Sequence, residues 1–491
     1  MTGALLQLIS KGAQDVYYIW DMKNSYFRSN FKRHSNFAIE TKELYVKNKF
    51  KYGTTLEIDI PRKGDLISGV YIKVRTPRLN FIPVQNRSTY AGYTNSFMHS
   101  LIQKVELYIG DCLIDTHISE FMEAFSEVYI PQSKKNGYNK MIGKHIILVN
   151  VTKNAREELT YWLPLHFTFC RDFTKALPLI ALQYHKVTLK IYTRPYDRCI
   201  VYDGTVLPTQ ENELHGQIYA DYIYLDNDER EWFAKRPHEY VIEQLQFTEE
   251  LIRANTKGDV FSLQNFNHPV KQLIFMAREN ELEQVNDHFN FSHYRRLHGT
   301  IDLSDNGAAG PTTVTVFEDH RLLTGDFISI QGISDDQNFI LNRTFQVDVN
   351  LFDSSINAKR QFKIPTPHAD IGNSAVPVLV VINMALSPFN EVKLVLNTHD
   401  LFEKQHETYF RLLQNYKYNV STPNKFINTY NFGIRPYETN HTGSLNFSRI
   451  DNAELKMSFA PDLKQSTLII MAFGYNVLRI ISGMAGLAFS S

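Results

Sequence analysis

The sequence has no excess of either charge, because its 491 residues include 52 Lys and Arg and 52 Asp and Glu. A protein that coats nucleic acid needs a basic excess to neutralise phosphates, so the composition argues against that class and predicts no direct nucleic-acid partner. A net charge near zero instead suits dense packing of identical chains, since their mutual repulsion is low.

Cysteines and long apolar segments are also scarce. Three cysteines, an odd number with no C-x-x-C pair, indicate neither a disulfide framework nor a zinc site, and they favour a reducing compartment. The longest apolar segment, 468–489, is interrupted by polar residues and glycines, so it predicts a buried strand rather than a membrane span. The first twenty residues have no basic region ahead of their apolar residues, so no secretory signal is predicted.

Motifs of catalysis and cofactor binding are missing. The sequence has no G-x-x-x-x-G-K-[ST], no G-x-G-x-x-G, no H-E-x-x-H and no G-x-S-x-G. We therefore expect no enzyme activity, no cofactor and no metal site.

Candidate glycosylation sites are present as N-x-[ST] triplets, although without a secretory signal ordinary lumenal glycosylation is not implied. The seven candidates are Asn86, Asn150, Asn290, Asn342, Asn419, Asn440 and Asn446.

The sequence is rich in aromatic side chains, with 33 Phe and 27 Tyr, which favour pleated, half-buried surfaces. Helical patterns are few, and the best cover residues 118–130 and 399–413. Short alternating runs closed by turn residues are much commoner and predict a mainly β protein of the sandwich or jelly-roll class. The clearest predicted strands are 54–61, 69–77, 103–110, 186–193, 217–226 and 390–397.

Two parts of the chain echo each other. "VELYIGDCLIDTHISEFMEAF", from Val105, and "VKLVLNTHDLFEKQHETYFRLL", from Val392, each show a strand, a polar turn and an amphipathic helix. An aromatic strand and then a further similar strand follow each of them, which predicts two consecutive copies of one β-fold. The second copy contains extra predicted strands, and these indicate a small inserted β module at about 298–366 on an exposed tip.

The stretch "FSRID", 447–451, brings a serine, an arginine and an aspartate together. Ser448 has no histidine at a motif spacing, which argues against catalysis. Arg449 and Asp451 are predicted to share one face of a strand, as a structural tie or a subunit contact. The apolar positions around them predict a sandwich core. These positions are Leu445, Phe447, Ile450, Ala453, Leu455 and Met457.

Several segments, read in order, resemble the major capsid proteins of large icosahedral double-stranded DNA viruses. Among them are "GAQDVY" (12–17), "IPRKGDLISGVYIKV" (60–74), "HPVKQLIF" (268–275) and "GSLNFSRIDNAELKM" (443–457). Within the last segment, the resemblance marks as structural signature residues Asn446, Phe447, Ser448, Arg449, Ile450, Asp451 and Asn452.

The resemblance implies a mainly β chain of two consecutive eight-stranded jelly-roll sandwiches with short helices, the second carrying the inserted module. The expected boundaries are an N-terminal arm at 1–30, a first jelly roll at 31–205, a linker at 206–225 and a second jelly roll at 226–491. After "GAQDVY" the sequence continues "YIWDMKNSYFRSN" instead of the family's Gly-Asn-Pro-type turn, so the path of the arm stays open.

The function implied by the resemblance is that of a structural major capsid protein. Such a chain self-assembles into a homotrimer, a pseudo-hexagonal capsomer that tiles an icosahedral shell. The implied partners are further trimers, penton proteins and minor capsid proteins, with an internal viral membrane reached through the minor proteins. The implied location is the virion capsid, after assembly in the host cytoplasm.

Two alternatives stay open at this point. One is a capsid-like paralogue that acts as a minor capsid protein or a scaffold for membrane assembly. The other is a carbohydrate-binding double β-sandwich, whose enzymatic members need paired carboxylates in a cleft. Asp226 and Asp228 are candidates for that pair, but their charged surroundings predict a solvated turn.

Overall fold

The computed structural model of the protein describes residues 3–15, 21, 25, 27, 33–80, 91–144, 157–202, 207–301, 311–316, 327–331, 344–346, 361–367 and 378–489. Its described strands and helices form two halves of antiparallel sheets, each half a sandwich, and one further sheet that belongs to neither sandwich.

The first half consists of two facing sheets. One has the strand order β1-β13-β3-β8 with β9 added beside β3, and the other has the order β2-β10-β6-β7. Short two-stranded pairs, β5 with β11 and β4 with β12, lie outside these sheets. The strands are β1 Phe37–Leu44, β2 Thr55–Ile60, β3 Leu66–Thr76, β4 Leu79–Asn80, β5 Ala91–Tyr93, β6 Ile102–Ile109, β7 Cys112–Ile118, β8 Leu159–Pro164, β9 Leu177–Pro178, β10 Val187–Thr193, β11 Ile200–Tyr202, β12 Thr209–Gln210 and β13 His215–Leu225.

The second half repeats this plan. One sheet has the order β14-β29-β16-β26, with β27 beside β16 and β30 beside β29, and the other has the order β15-β28-β23-β24 with β25. The strands are β14 His238–Ile252, β15 Gly258–Ser262, β16 Pro269–Glu279, β17 His293–Ile301, β18 Pro311–Val316, β19 Phe327–Gln331, β20 Thr344–Gln346, β21 Gln361–Pro367, β22 Val378–Leu386, β23 Phe389–Leu396, β24 His399–Asp400, β25 Gln405–His406, β26 Asn428–Asn431, β27 Leu445–Asn446, β28 Ala453–Phe459, β29 Ser466–Ile481 and β30 Met484–Leu487.

The alternation seen in the sequence determines which side chains face inward. In β2, Leu56, Ile58 and Ile60 are buried while the residues between them are exposed or half-buried. The strand β28 alternates in the same way, and its buried side chains join the core of the second half. All six strands predicted most clearly from the sequence are present, at β2, β3, β6, β10, β13 and β23.

The two halves share their topology down to an irregularity. Both central strands β3 and β16 carry a bulge near their start, where Ser68 and Lys271 are skipped in the pairing with β13 and β29. A bulge leaves one residue unpaired and bends the strand. The predicted repeat of one β-fold is therefore visible in the strand order and in the register.

The described helices are short, and the longest, at Gln132–Ile142, has 11 residues. A π-helical turn at Tyr409–Leu413 continues directly into the last α-helix. The helices are α1 Gly3–Ile9, α2 Phe97–Leu101, α3 Ser119–Val128, α4 Gln132–Ile142, α5 Thr168–Arg171, α6 Asn227–Lys235, α7 Asn280–Gln284 and α8 Gln414–Tyr418. Among the described helices, none is long and apolar enough to cross a membrane.

One of the two predicted helices is correct and the other is misplaced. The helix predicted at 118–130 is α3. The helix predicted at 399–413 is wrong over its first part, because His399–Asp400 pairs with β23 and Gln405–His406 pairs with the same strand. The turn that starts this hairpin uses Asn397 and Thr398, whose φ values of 46° and 70° suit a two-residue hairpin loop.

The predicted linker at 206–225 is also corrected. Residues 215–225 form β13, which is hydrogen bonded between β1 and β3 in the middle of the first sheet. A segment with paired strands on both sides is part of the sandwich, so the connection between the halves falls on α6, after Leu225.

The inserted module corresponds to a separate six-stranded sheet with the order β20-β19-β22-β17-β18-β21. Its range is wider than the predicted 298–366, because β17 begins at His293 and β22 ends at Leu386. It is placed between β16 and β23, at the end of the sandwich opposite to the entry of α6.

Candidate functional site: the joint between the two sandwiches

The two halves meet through an apolar cluster built on α3. This helix is amphipathic, and Phe121, Phe125 and Val128 are buried against the outer face of the β14-β29-β16-β26 sheet. The ring centroids of Phe121 and Phe473 are 5.1 Å apart, a distance at which aromatic pairs attract. Because all ten residues of α3 are buried, the helix is a shared core element of both halves.

Three carboxylates of α3 are buried in the same joint and paired with cations from both halves. Glu123 Oε1 accepts from Lys144 Nζ and from Lys425 Nζ, each at 2.7 Å. Glu127 is paired with Lys135 and Lys144, and Glu120 Oε1 accepts from Arg278 of the second half at 3.0 Å. A buried charge without its partner is costly, so this network ties the two sandwiches to one relative position.

The pKa values of the buried carboxylates are set by two opposing effects, burial and the charge of the neighbouring ammonium groups. Burial alone would raise the pKa of Glu123, but the ammonium groups of Lys144 and Lys425 hold it well below its usual range. The same opposition lowers the pKa of Glu127 to about 2, where Lys144 and Lys135 outweigh burial. These carboxylates therefore stay ionised in the folded chain at neutral pH.

A chain of hydrogen bonds extends from Glu123 into the first half. His99 Nδ1 lies 2.7 Å from Glu123 Oε2, and His99 Nε2 lies 3.2 Å from the Tyr138 hydroxyl. That hydroxyl lies 3.1 Å from His166 Nε2. Burial lowers the pKa of both His99 and His166, so one neutral tautomer of each ring satisfies the whole chain.

A second ionic cluster also links the two halves. Glu243 of β14 is paired with Lys271 of β16 and with Arg171 of the first half. The Lys271 ammonium is 4.3 Å from the centre of the Phe473 ring, and burial lowers its pKa to about 8. The cluster thus adds a charged cross-link between the halves beside the apolar one.

Tyr129 links the first half to the polar interior of the second, and we expect Tyr129→Phe to lower the free energy of unfolding by about 1–2 kcal/mol. Its hydroxyl donates to Gln272 Oε1 at 2.6 Å, and Gln272 is fully buried, so the variant leaves a buried acceptor without this donor. Urea unfolding at one protein concentration measures the effect. Tyr45→Phe is the matched control, because Tyr45 is 80% exposed, and an equal loss there would contradict the assignment.

The signature stretch is a structural connection between strands. Phe447 is buried in the core of the second half, and Leu445 and Ile450 pack against that core, as predicted. The prediction that Arg449 and Asp451 share a strand face is wrong, because Phe447–Arg449 forms a 3₁₀ turn and β28 begins only at Ala453. Both side chains are exposed.

The polar members of the signature stabilise turns. Ser448 Oγ accepts from the backbone N–H of His268 at 2.8 Å, at the start of β16. Asn446 Oδ1 caps the 3₁₀ turn by accepting from Ser448 N at 3.1 Å. Asn452 N donates to Asn397 Oδ1 at 2.9 Å, which holds the hairpin turn between β23 and β24.

The candidate glycosylation sites fall into different surroundings. The side chains of Asn290 and Asn419 are occupied by hydrogen bonds, to Asp287 and Ser292 and to Asn415 and Gln272 respectively. Asn440 and Asn446 are exposed. Asn86, Asn150 and Asn342 lie outside the described residues.

The carboxylates considered for a sugar-binding cleft lie on the surface. Asp226 caps α6 by accepting from Asn227 N, Asp228 is in its first turn, and both are exposed. Across the described part of the chain, no group of three or more His, Cys, Asp or Glu residues is arranged to hold a metal ion.

The functional residues that sequence reasoning missed are the buried ions of the joint. The spacing of Glu120, Glu123 and Glu127 along one helix was a usable signal, since it places three carboxylates on adjoining turns. Their partners Arg278 and Lys425 are far away in the sequence, so the pairing itself was not readable.

Comparisons with known proteins agree with this architecture. Residues 25–226 match the family model of the major capsid protein N-terminus, and residues 229–486 match that of the large eukaryotic DNA virus major capsid protein. The chain is 30% identical to the major capsid protein of Phaeocystis pouchetii virus and 28% identical to that of Paramecium bursaria Chlorella virus 1, with all of each chain covered.

Solved structures give the same result. A chain of the PBCV-1 virus capsid model superposes with a TM-score of 0.68 at 25% identity, over 95% of this chain and all of that one. The Faustovirus major capsid protein shares the fold with a TM-score of 0.67 at 11% identity, over 96% of this chain and 94% of that one. The leading prediction is therefore favoured over the paralogue and the carbohydrate-binding sandwich. The chain belongs to the large eukaryotic DNA virus major capsid proteins, structural proteins without enzymatic activity that form the icosahedral shell of the virion.

Proposed function

We propose that the chain acts as one third of a homotrimeric, pseudo-hexagonal capsomer that tiles the shell. The observation that carries this proposal is the equivalence of the two halves, which share strand order and bulge position. Three chains with two equivalent sandwiches each supply six similar units, and a closed ring of them has nearly six-fold shape with three-fold symmetry.

Each half is proposed to be an eight-stranded jelly roll. In support, the main order of each of the two sheets per half consists of four strands, and these connect in the same way in both halves. The sequence-distant strands β1 and β13 are adjacent in one half, and β14 and β29 are adjacent in the other. Two stacked sheets give a rigid wedge whose loops vary without disturbing the core. We place the first jelly roll at 31–225 and the second at 236–491, with the arm at 1–30 and α6 between the jelly rolls.

We expect the purified chain to behave as a trimer of three times 57.0 kDa, because each sandwich needs a neighbour on its flank. Size-exclusion chromatography with light scattering measures the native mass across a concentration series. A monomer that persists at high concentration would contradict the capsomer proposal.

The remaining partners and sites are proposals of the same kind. Penton and minor capsid proteins, and an internal membrane reached through the minor proteins, are the expected neighbours of such a trimer. The signature residues Asn446 to Asn452 are proposed to hold the β16 start and the β23–β24 turn rather than to contact a ligand. Of the described sequons, exposed Asn440 is the better glycosylation candidate, because Asn446 Oδ1 already accepts from Ser448 N, and mass spectrometry of virion protein tests it.

A further inference from the structure

Two elements with exposed apolar side chains lie at the same end of the chain. Phe37, the first residue of β1, pairs with Leu225, and α6 follows directly, so the arm joins the first sandwich beside α6. The hairpin between β29 and β30 is at this end too, because His238, the first residue of β14, pairs with Ile480. The inserted sheet follows the other end of β16, so the arm and this hairpin lie away from it.

The helix α1 of the arm is amphipathic, and its apolar side chains are all exposed, by 48% to 67%. At 100° per residue these side chains fall on one face of the helix, while Gln7, Ser10 and Lys11 fall on the opposite face. A helix with one apolar face gains its stability by burying that face against another surface. The four apolar side chains are those of Leu5, Leu6, Leu8 and Ile9.

The charge of the arm identifies the kind of surface. Ahead of β1, residues 1–36 contain five Lys and Arg against two Asp and no Glu, while the rest of the chain contains 47 Lys and Arg against 50 Asp and Glu. An anionic surface therefore attracts the arm and not the body of the protein. The same segment contains six Tyr, Trp and Phe residues between 17 and 31, and side chains of this kind favour the boundary between water and lipid.

The tip of the β29–β30 hairpin adds a second apolar element. Ser482 and Gly483 form a two-residue turn with φ values of 52° and 80°, and both Ile481 and Met484 beside it are exposed. Tyr184 N donates to Gly483 O at 2.9 Å, and a Cβ at Gly483 would lie 2.7 Å from the Tyr184 ring. The first half thus holds the tip in place, while the Tyr184 ring is itself 73% exposed.

A lipid surface fits these elements together. The apolar face of an amphipathic helix enters the boundary between headgroups and acyl chains, basic side chains approach anionic headgroups, and aromatic rings lie between the two. A protein partner would have to match a short helix and a separate hairpin tip by shape, whereas lipid adapts to both. The excess of basic residues in the arm further selects an anionic surface over a neutral one.

We propose that this end of the chain binds an anionic lipid surface directly, through the apolar face of α1 and the tip of the β29–β30 hairpin. A helix of seven residues binds lipid only weakly by itself. In a trimer with three-fold symmetry, three arms lie on the same side and bind together, which raises the affinity without a new contact. This inference rests on the proposed trimer and adds a direct lipid contact to it.

Flotation of the full-length protein with lipid vesicles tests the proposal. Phosphatidylcholine vesicles with about 30% phosphatidylserine should carry the wild-type trimer up a density gradient, and vesicles of phosphatidylcholine alone should carry much less. The double variant Leu5→Glu with Leu8→Glu should float at least about tenfold less, because moving one leucine out of water accounts for a factor of about ten or more. Met484→Glu should also float less.

Val285→Glu is the matched control. Val285 is 62% exposed and lies just after α7, at the end of the chain that carries the inserted sheet, so this variant should float like the wild type. Light scattering of each sample before flotation should show a trimer. Unchanged flotation of the α1 variant or of Met484→Glu would overturn the role of the element that it alters.

A photoactivatable phosphatidylcholine in the same vesicles tests the contact without any substitution. It should label the tryptic peptide 1–11, which ends at Lys11. A trimer that does not float, that floats equally with neutral vesicles, or whose peptide 1–11 stays unlabelled would overturn the lipid contact and leave the trimer intact. A wild-type chain that stays monomeric would instead overturn the proposed function on which the inference rests.

Discussion

Replacing Glu123 with leucine should lower the free energy of unfolding by about 3–5 kcal/mol, the loss typical of breaking a buried ion pair by removing one partner. The carboxylate is fully buried and is the common partner of Lys144, Lys425 and His99. Without it, two ammonium groups remain near each other in a joint with little water. The variant should also loosen the contact between the halves, because Lys425 is a cation of the second half.

Urea unfolding at a fixed protein concentration measures the loss, and limited proteolysis around α6 reports on separation of the halves. The double variant Glu123→Leu with Lys425→Met should recover part of the stability, since it removes one uncompensated cation. Glu231→Gln is the matched control, because its pair with Lys235 is on the surface and its removal should have no measurable effect. A Glu123→Leu chain as stable as the wild type would show that the network does not hold the joint.

The sequence predicted the sandwiches well because their signal is local. A strand with one buried face alternates at each residue, so "TTLEIDIP" and "NAELKMS" could be placed from their letters alone. The same locality explains the repeat, since strand, hairpin and helix follow each other directly, over residues 102–128 in the first half and 389–418 in the second.

The misplaced helix at 399–413 shows where local reading fails. "HDLFEKQHETYF" has helix-compatible spacing, but the preceding Asn397 and Thr398 form the turn that folds His399 back onto β23. Asparagine tolerates the left-handed conformation that a two-residue hairpin requires, so Asn397 was the residue that could have indicated a hairpin instead of a helix. The linker prediction at 206–225 was wrong for another reason. The strand β13 pairs with β1 and β3, which come much earlier in the sequence, so a local pattern could not reveal the pairing.

The joint could not be predicted from the sequence, because the interactions that stabilise it form between residues that are far apart in the chain. An amphipathic helix places carboxylates on its solvent side by default, and α3 was therefore readable only as a helix with aromatic and charged faces. The charged face is buried because two distant cations neutralise its carboxylates. Arg278 pairs with Glu120, 158 residues away in the sequence, and Lys425 pairs with Glu123, 302 residues away. The resemblance to capsid proteins predicted the fold and the function. The residues that hold the two halves in one relative position could be identified only from the structure.

Acid should weaken the joint before it protonates the carboxylates, and His288 should contribute to this loss beside His99 and His166, whose pKa values burial also lowers. The ring is buried beside the guanidinium groups of Arg194 and Arg278, with Glu120 as the nearby anion. Its Nε2 donates to the Arg198 carbonyl at 2.8 Å, while its Nδ1 is buried without a hydrogen-bond partner in the described part of the chain. Burial and the two guanidinium groups lower the pKa of His288 from 6.5 to about 4.

The direction in which stability changes with pH follows from proton binding. Between about pH 6.5 and pH 4 the unfolded chain binds a proton at His288 and the folded chain does not, so stability falls as the pH falls. The stabilisation is complete above pH 6.5, and roughly 3 kcal/mol is lost by pH 4, at 1.36 kcal/mol per pKa unit. The carboxylate contribution is separate, because Glu127 loses its share only between its usual pKa of 4.5 and about 2.

His288→Gln tests this directly, because glutamine keeps a donor for the Arg198 carbonyl and does not titrate. We expect the variant to reduce the loss of unfolding free energy between pH 6.5 and pH 4 by roughly that 3 kcal/mol, whatever its stability at neutral pH. His441→Gln, at an exposed position, should leave the slope unchanged. An unchanged slope in His288→Gln would show that the buried imidazole does not drive acid weakening. A reduced slope would place an early acid-sensitive step of this capsid protein at the joint between its two sandwiches. His288 belongs to the joint because it precedes Phe289 of the apolar cluster, and the His288 backbone carbonyl accepts from Arg278 at 2.8 Å.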